Sequence, residues 1–141
     1  MMISQTTEYA LRAVVWLARQ PDEQQGTKKI SEAIQVPGGY LSKVLQKLTR
    51  AGLVTSSPGR GGGFRLARDP ADIRVLEVVN AVDPLQRIQS CPLGLASHGS
   101  NLCALHRKLD EDLARTEKAF ASTTITDLLD DENGSQPLCE S

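Results

Sequence analysis

Two cysteines and a histidine in the second half of the chain, Cys91, Cys103 and His106, are the residues best suited to chemistry. Cys103 and His106 stand three apart, a spacing that puts both on one face of a helix. The apolar period that follows predicts a helix opening at Leu102, so Cys103 is expected in its first turn. There the helix dipole favours the thiolate, the form that binds a metal or attacks an oxidant. Cys91 lies on the preceding loop, Ser90 to Asn101, rich in Ser, Gly and Pro, which must fold back to bring it near the pair. Both histidines of the chain, His98 and His106, fall in this window. Three readings are open: a metal site, a Cys91–Cys103 disulfide that switches with redox state, or small packed thiols with no cofactor. Zinc accepts two Cys with one or two His, but eleven residues between the cysteines is not a zinc-finger spacing. His106 could also activate Cys103 as a nucleophile. No oxyanion donors or substrate pocket accompany that pair, so an enzyme is not expected. Cys139, near the end, reads as an incidental free thiol.

A second set of residues is basic and lies between Pro37 and Ala67. Leu41, Val44, Leu45 and Leu48 recur at helical spacing and make one apolar stripe. Gly39, Ser42, Lys43, Gln46 and Arg50 fall on the opposite face, with Tyr40 and Lys47 beside them. Gly52 stands where a helix stops in a left-handed residue. Leu53-Val54-Thr55 then reads as a strand, Pro58 to Gly63 as its turn, and Phe64-Arg65-Leu66 as the returning strand. A helix of this kind fits a DNA major groove, and the small hairpin tip lets Arg60 reach a phosphate or a minor groove. Arg65 lies on the returning strand.

The elements that must position these residues follow from pattern. Ser4 to Gln20 reads as a first helix, capped by Ser4 or Thr6, with a stripe of Thr6, Tyr9, Ala10, Ala13, Val14 and Leu17. Pro21 to Gly26 is a loop. Thr27 can cap a helix from Lys28 to Ile34, in which Lys28 and Lys29 occupy a first turn that disfavours cations unless a phosphate is near. Gln35 to Gly38 is a turn, and helix, turn and helix come in helix-turn-helix order. Pro70 to Asp72 reads as a single turn. Val75 to Val82 is β-branched enough for a strand, but its spacing, together with a family resemblance carried by the residues above, favours a short helix stopped by Pro84. From Leu102, residues Leu105, Leu109, Leu113, Thr116 and Phe120 step by three or four, close to a heptad seam. Periodicity alone leaves that seam to its own chain or to a second copy. Thr124 to Leu129 reads as a short capped helix, and the acidic residues after it as a disordered tail.

Composition sets outer bounds. The chain has 141 residues and a net charge of −1. That charge divides into +6 over Met1 to Arg68 and −7 over Asp69 to Ser141, so the first half is the one suited to a polyanion. No stretch approaches the roughly 18 apolar residues of a membrane span. The N-terminus lacks the layout of a signal peptide, so a cytoplasmic protein is expected. Three cysteines, an odd number, disfavour a disulfide framework there.

The run from Ile30 to Ala67 resembles the winged helix of the IscR/NsrR family of bacterial transcription regulators, also called the Rrf family. The resemblance rests on an ordered set: Ile30–Ile34, the Gln35–Pro37 turn, Tyr40-Leu41, Gly52-Leu53-Val54 and Gly61-Gly62-Gly63-Phe64. It extends from Ser4 to about Leu129. It implies a mainly α winged helix-turn-helix protein with a two-stranded β-wing and a long C-terminal dimerisation helix. Residues 1–83 would be the DNA-binding domain, 84–101 a cysteine-containing sensor loop, and 102–129 the dimerisation helix with a short terminal helix. Residues 130–141 would be the tail. The implied function is sequence-specific DNA binding as a repressor, by a homodimer on an inverted-repeat operator, tuned by redox, iron–sulfur or nitric-oxide status. Lys28, Gly39, Tyr40, Ser42, Lys43, Lys47, Arg50, Arg60 and Arg65 are the implied DNA-binding set.

Relatives carry three cysteines in the loop, spaced Cys-x5-Cys-x5-Cys, around an iron–sulfur cluster. Here Cys91 and Cys103 match the outer pair and His106 matches a histidine ligand of some relatives, while Ser97 occupies the central position. Mixed ligation of a [2Fe–2S] cluster by Cys and His is chemically sound. The fourth ligand would be His98 or Glu8 of a second copy. The alternative function is a metal- or thiol-dependent interaction module on the same scaffold that does not read DNA.

Overall fold

A computed structural model describes residues 3–95 and 101–129. Ser97, His98, Cys139 and the tail lie outside the described residues. The chain opens with α1, Gln5–Ala18, capped by Ser4, whose Oγ accepts from Thr7 N at 3.2 Å. Such a cap contributes about 1 kcal/mol. Ala10, Ala13, Val14 and Leu17 are fully buried, which is most of the stripe expected of this helix.

Next come α2, Thr27–Ile34, and α3, Gly38–Arg50. Thr27 is not the cap of α2: it is the first helical residue, and Gly26 holds the cap position without a side-chain bond. Ile30 and Ile34 face the core. α2 ends at Gln35, a non-glycine residue in the left-handed region at φ 57°, which turns the chain sharply into α3. In α3, Leu41, Val44, Leu45 and Leu48 are all buried, and Gly39, Lys43, Gln46 and Arg50 are exposed. The helix stops as its sequence indicates. Gly52 takes φ 76°, its N–H donates to Thr49 O at 3.0 Å, and Leu53 N–H donates to Leu48 O at 3.1 Å. These two bonds satisfy the last carbonyls of the helix and bring Leu53 beside Leu48 in the core.

Because Leu53 completes this cap, the first strand starts one residue later than expected. β1, Val54–Ser57, pairs antiparallel with β2, Gly63–Leu66, from Val54 opposite Leu66 to Ser57 opposite Gly63. Within the turn, a Cβ on Gly62 would stand 2.3 Å from the Ser57 carbonyl oxygen, so the tight return of the chain requires glycine there. Pro70–Asp72 forms a single 3-10 turn, and α4 spans Val75–Val82. Glu77 caps α4 by accepting from Arg74 N at 3.2 Å and pairs with Arg68. α4 is packed against α1 and α3 and completes the core with Val75, Val78, Val79 and Val82.

α5, Ala104–Ser122, begins two residues after Leu102, and none of its residues is fully buried. It lies against α4. α6, Ile125–Leu129, leaves α5 and returns to the head. There Ile125 N donates to Ile73 O at 2.9 Å, and its side chain is fully buried. No described helix is long and apolar enough to cross a membrane.

Candidate nucleic-acid interface and thiol–imidazole pair

The outward face of α3 opens on two glycines. A Cβ added at Gly39 would meet nothing within 4 Å, and one at Gly38 only Ser31 Oγ at 3.9 Å. Neither glycine is demanded by the packing of the free chain, so the start of α3 is a bare backbone surface. Ser42 Oγ donates to Gly38 O at 3.0 Å and stays at the helix start. Lys43, Lys47 and Arg50 are exposed along α3, Lys28 at the start of α2, Arg60 at the wing tip and Arg65 on β2. None of these six cations makes an ion pair among the described residues, whereas Arg12, Lys29, Arg68, Arg87, Lys108 and Arg115 each do. Unpaired cations on a helix and a neighbouring hairpin leave charge available for phosphates.

Besides Ser42, two more of the expected contact residues are already engaged within the chain. Lys47 Nζ donates to Val82 O at 3.4 Å, at the carbonyl end of α4 where the dipole favours a cation. Tyr40 is 39% exposed, but its hydroxyl bonds Thr6. Its ring meets Tyr9 edge to face, centroids 5.3 Å apart and planes at 86°. The ring lies outside the core, against Tyr9, and the hydroxyl serves to hold the start of α3 against α1. Such an aromatic pair contributes about 0.5–1.5 kcal/mol beyond area burial.

Sequence reasoning passed over two residues that position this face. Arg12 Nη1 donates to Ile34 O at 3.1 Å, so it satisfies a carbonyl at the end of α2, immediately before the turn. Its side chain also pairs with Glu8 at 2.6 Å and lies over the Tyr9 ring. The other is Gln25, which is 1% exposed in the α1–α2 corner. A polar residue in a polar loop carries no local signal of burial; a pairing partner elsewhere in the chain determines it.

Of the candidate sensor residues, Cys103 and His106 lie together. Cys103 Sγ lies 3.3 Å from His106 Nδ1. Cys103 is the cap residue of α5 rather than part of its first turn, still close to the positive end of the dipole. Cys91 is 9% exposed. Among the described residues no three His, Cys, Asp or Glu side chains come together as a metal-binding group. Glu8, one of the two expected fourth ligands, is ion-paired with Arg12 on its own helix. The donor types suit an iron–sulfur cluster, but among the described residues their arrangement supplies one thiol–imidazole corner rather than a closed set.

The sequence matches the family model of Rrf2, iron-dependent transcriptional regulators, over residues 3–131. The chain belongs to the Rrf2 family. An HTH-type transcriptional regulator NsrR of Geobacillus kaustophilus is 32% identical, the match covering 93% of this chain and 91% of that protein. A transcriptional regulator of Aquifex aeolicus is 30% identical over 94% of each chain. Among solved structures, IscR of T. potens superposes with a TM-score of 0.72 at 24% identity, covering 92% of this chain and 86% of the other. CymR of B. subtilis superposes at 0.73 with 22% identity, covering 91% and 95%. These two likenesses establish the winged-helix fold of this Rrf2 regulator, mainly helical with a two-stranded antiparallel sheet.

Proposed function

We propose that this DNA-binding transcription regulator grips an inverted-repeat operator as a homodimer and represses transcription. The observation that carries the reading is the set of exposed cations on α3 and the wing, Lys43, Arg50, Arg60 and Arg65, without an ion pair among the described residues, beside the open glycine start of α3. α3 is the element for a major groove, and Arg60 at the wing tip suits the flanking phosphates or minor groove. Lys28, at the start of α2, suits a phosphate. Lys47 and Tyr40 act chiefly in support, since their polar atoms are bonded within the chain. The face of α5 supports dimerisation: Leu105 is 63% and Leu109 46% exposed on the predicted seam, and apolar side chains at heptad spacing call for a partner helix.

The sensing element is the Cys103–His106 pair with Cys91. Its donors fit mixed ligation of a [2Fe–2S] cluster, and the family's iron-dependent character supports that choice. A bound cluster would supply reactivity toward oxidants or nitric oxide. Cys91, Cys103 and His106 would hold it, with His98 or a second copy's Glu8 completing the set. A dithiol switch built on Cys91 and Cys103 is the second reading, favoured by the lack of a closed ligand group among the described residues. The function is tested by salt-dependent binding to duplex DNA. Protein that binds no duplex would be an interaction module on this scaffold.

A further inference from the structure

The wing is gripped at its base by a residue outside it. Gln25, between α1 and α2, forms an isolated antiparallel bridge with Phe64 on the edge of β2 that β1 leaves free. Gln25 N donates to Phe64 O at 3.0 Å, and Phe64 N donates to Gln25 O at 2.7 Å. Beside them Gly63 takes φ 134°, and a Cβ there would stand 2.4 Å from the Gln25 carbonyl carbon. Glycine is what allows the two backbones to approach. The Gln25 side chain is fixed in turn by α1: its Oε1 accepts from Trp16 Nε1 at 2.7 Å. That indole permits one amide orientation, since the flipped amide would set two donors face to face. Gln24 adds a bond from Nε2 to Ser57 Oγ at 3.2 Å, on β1.

Gln25 Nε2, the other end of the amide, is buried as well. The wing itself has four residues in each strand, and a lone two-stranded hairpin is marginal in water. Val54 and Leu66 anchor the base of the hairpin in the core, with Phe64 packed against it, and the Gln25 bridge adds the hold on its outer edge.

We infer that Gln25, oriented by Trp16, fixes the angle at which the wing leaves the body and so positions Arg60 and Arg65 on DNA. This rests on the DNA-binding reading above. Neither Trp16 nor Gln25 needs to touch DNA; both are positioning residues.

Two variants isolate the side-chain bond. Trp16→Phe removes the indole N–H and keeps an aromatic ring, while Gln25→Met removes the amide and keeps its length. Hydrogen exchange of the free protein comes first. The Phe64 amide should exchange about tenfold faster or more in both variants, while the amides of Leu45 and Leu48 in α3 keep their protection. Unchanged Phe64 protection overturns the inference, whatever the protein does with DNA. A double-mutant cycle follows, on a duplex selected by the parent protein from a random-sequence pool. Arg60→Ala should weaken binding about tenfold in the parent but less than about twofold in Trp16→Phe, whereas Lys43→Ala should cost the same in both. An equal Arg60→Ala effect in the two backgrounds overturns the inference and leaves the DNA reading standing. A parent that selects no duplex overturns the DNA reading itself.

Discussion

Arg87 holds Asp110 with both arms of its guanidinium, Nε on Oδ1 at 2.7 Å and Nη2 on Oδ2 at 2.8 Å. Ile88 N adds a third donor to Oδ1 at 2.9 Å. The segment after α4 is thereby pinned to the side of α5, on the approach to Cys91. The Arg87 hydrogen bonds, then the Ile88 N–H and the Arg87 charge, hold the Asp110 carboxyl down from 3.8 to about 2.

A depressed carboxylate stabilises the fold above its ordinary range, and that contribution is lost as pH falls through the folded value. The clamp should therefore be intact above about pH 4 and open progressively toward pH 2. A carbon-detected NMR titration of the Asp110 carboxyl should give a midpoint near 2, and Arg87→Gln should return it toward 3.8. A midpoint near 3.8 in the parent would mean that the segment is not anchored here.

Gly52 and Gly63 both have positive φ but should respond differently to alanine. At Gly52 a Cβ would meet nothing within 4 Å, so Gly52→Ala pays only for the left-handed backbone, about 1–2 kcal/mol. At Gly63 the Cβ would collide with the Gln25 backbone, so Gly63→Ala must displace the wing. Denaturant melts should show the modest loss for Gly52→Ala with DNA affinity retained. Gly63→Ala should lose more affinity than stability. Equal effects on both quantities in the two variants would contradict this division.

Much of the fold is legible in the sequence because its signals are local. The stripe Leu41, Val44, Leu45, Leu48 and the stop at Gly52 are properties of consecutive residues, and both appear as expected. α4 is harder: Val75, Val78, Val79 and Val82 have strand propensity, and the helix Val75–Val82 is expected only from helical spacing taken with the family resemblance. What sequence does not show depends on partners distant in the chain. Gln25 is buried because Phe64 pairs with it, and the exposed Lys47 reaches the last carbonyl of α4. Periodicity sets Cys103 two residues too far into α5, since the apolar period does not mark where a helix opens. The cations of α3 and the wing are readable from spacing; that they form no ion pair among the described residues depends on how distant parts of the chain fold together.

The seam on α5 predicts a dimer that breaks when charged. Leu109→Glu with Leu113→Glu would bury like charges against apolar side chains, which is strongly unfavourable. Sedimentation should show monomer, or unfolded chain, in place of the parent dimer. A stable dimer in the double variant would move the interface away from α5.

The thiol–imidazole pair predicts a regulated affinity. Protein purified without oxygen should contain iron and sulfide and absorb in the visible. Cys91→Ala and Cys103→Ala should each abolish the response of DNA binding to oxidant or nitric oxide, a response on the order of 1–3 kcal/mol. His106→Ala should do the same for a cluster but spare a dithiol switch. Ser97→Cys should raise cluster occupancy. Colourless, iron-free protein whose cysteine variants respond like the parent would reduce the thiols to packing.

The most direct test of DNA reading is anisotropy of a labelled inverted-repeat duplex, with half-sites about 10 bp or a multiple apart, titrated at several salt concentrations. The parent should bind with a steep inverse salt dependence. Lys43→Ala and Arg60→Ala should each weaken binding and flatten the slope by about 1 for every phosphate no longer neutralised. Binding and slope unchanged in both variants would contradict the placement of α3 and the wing on DNA.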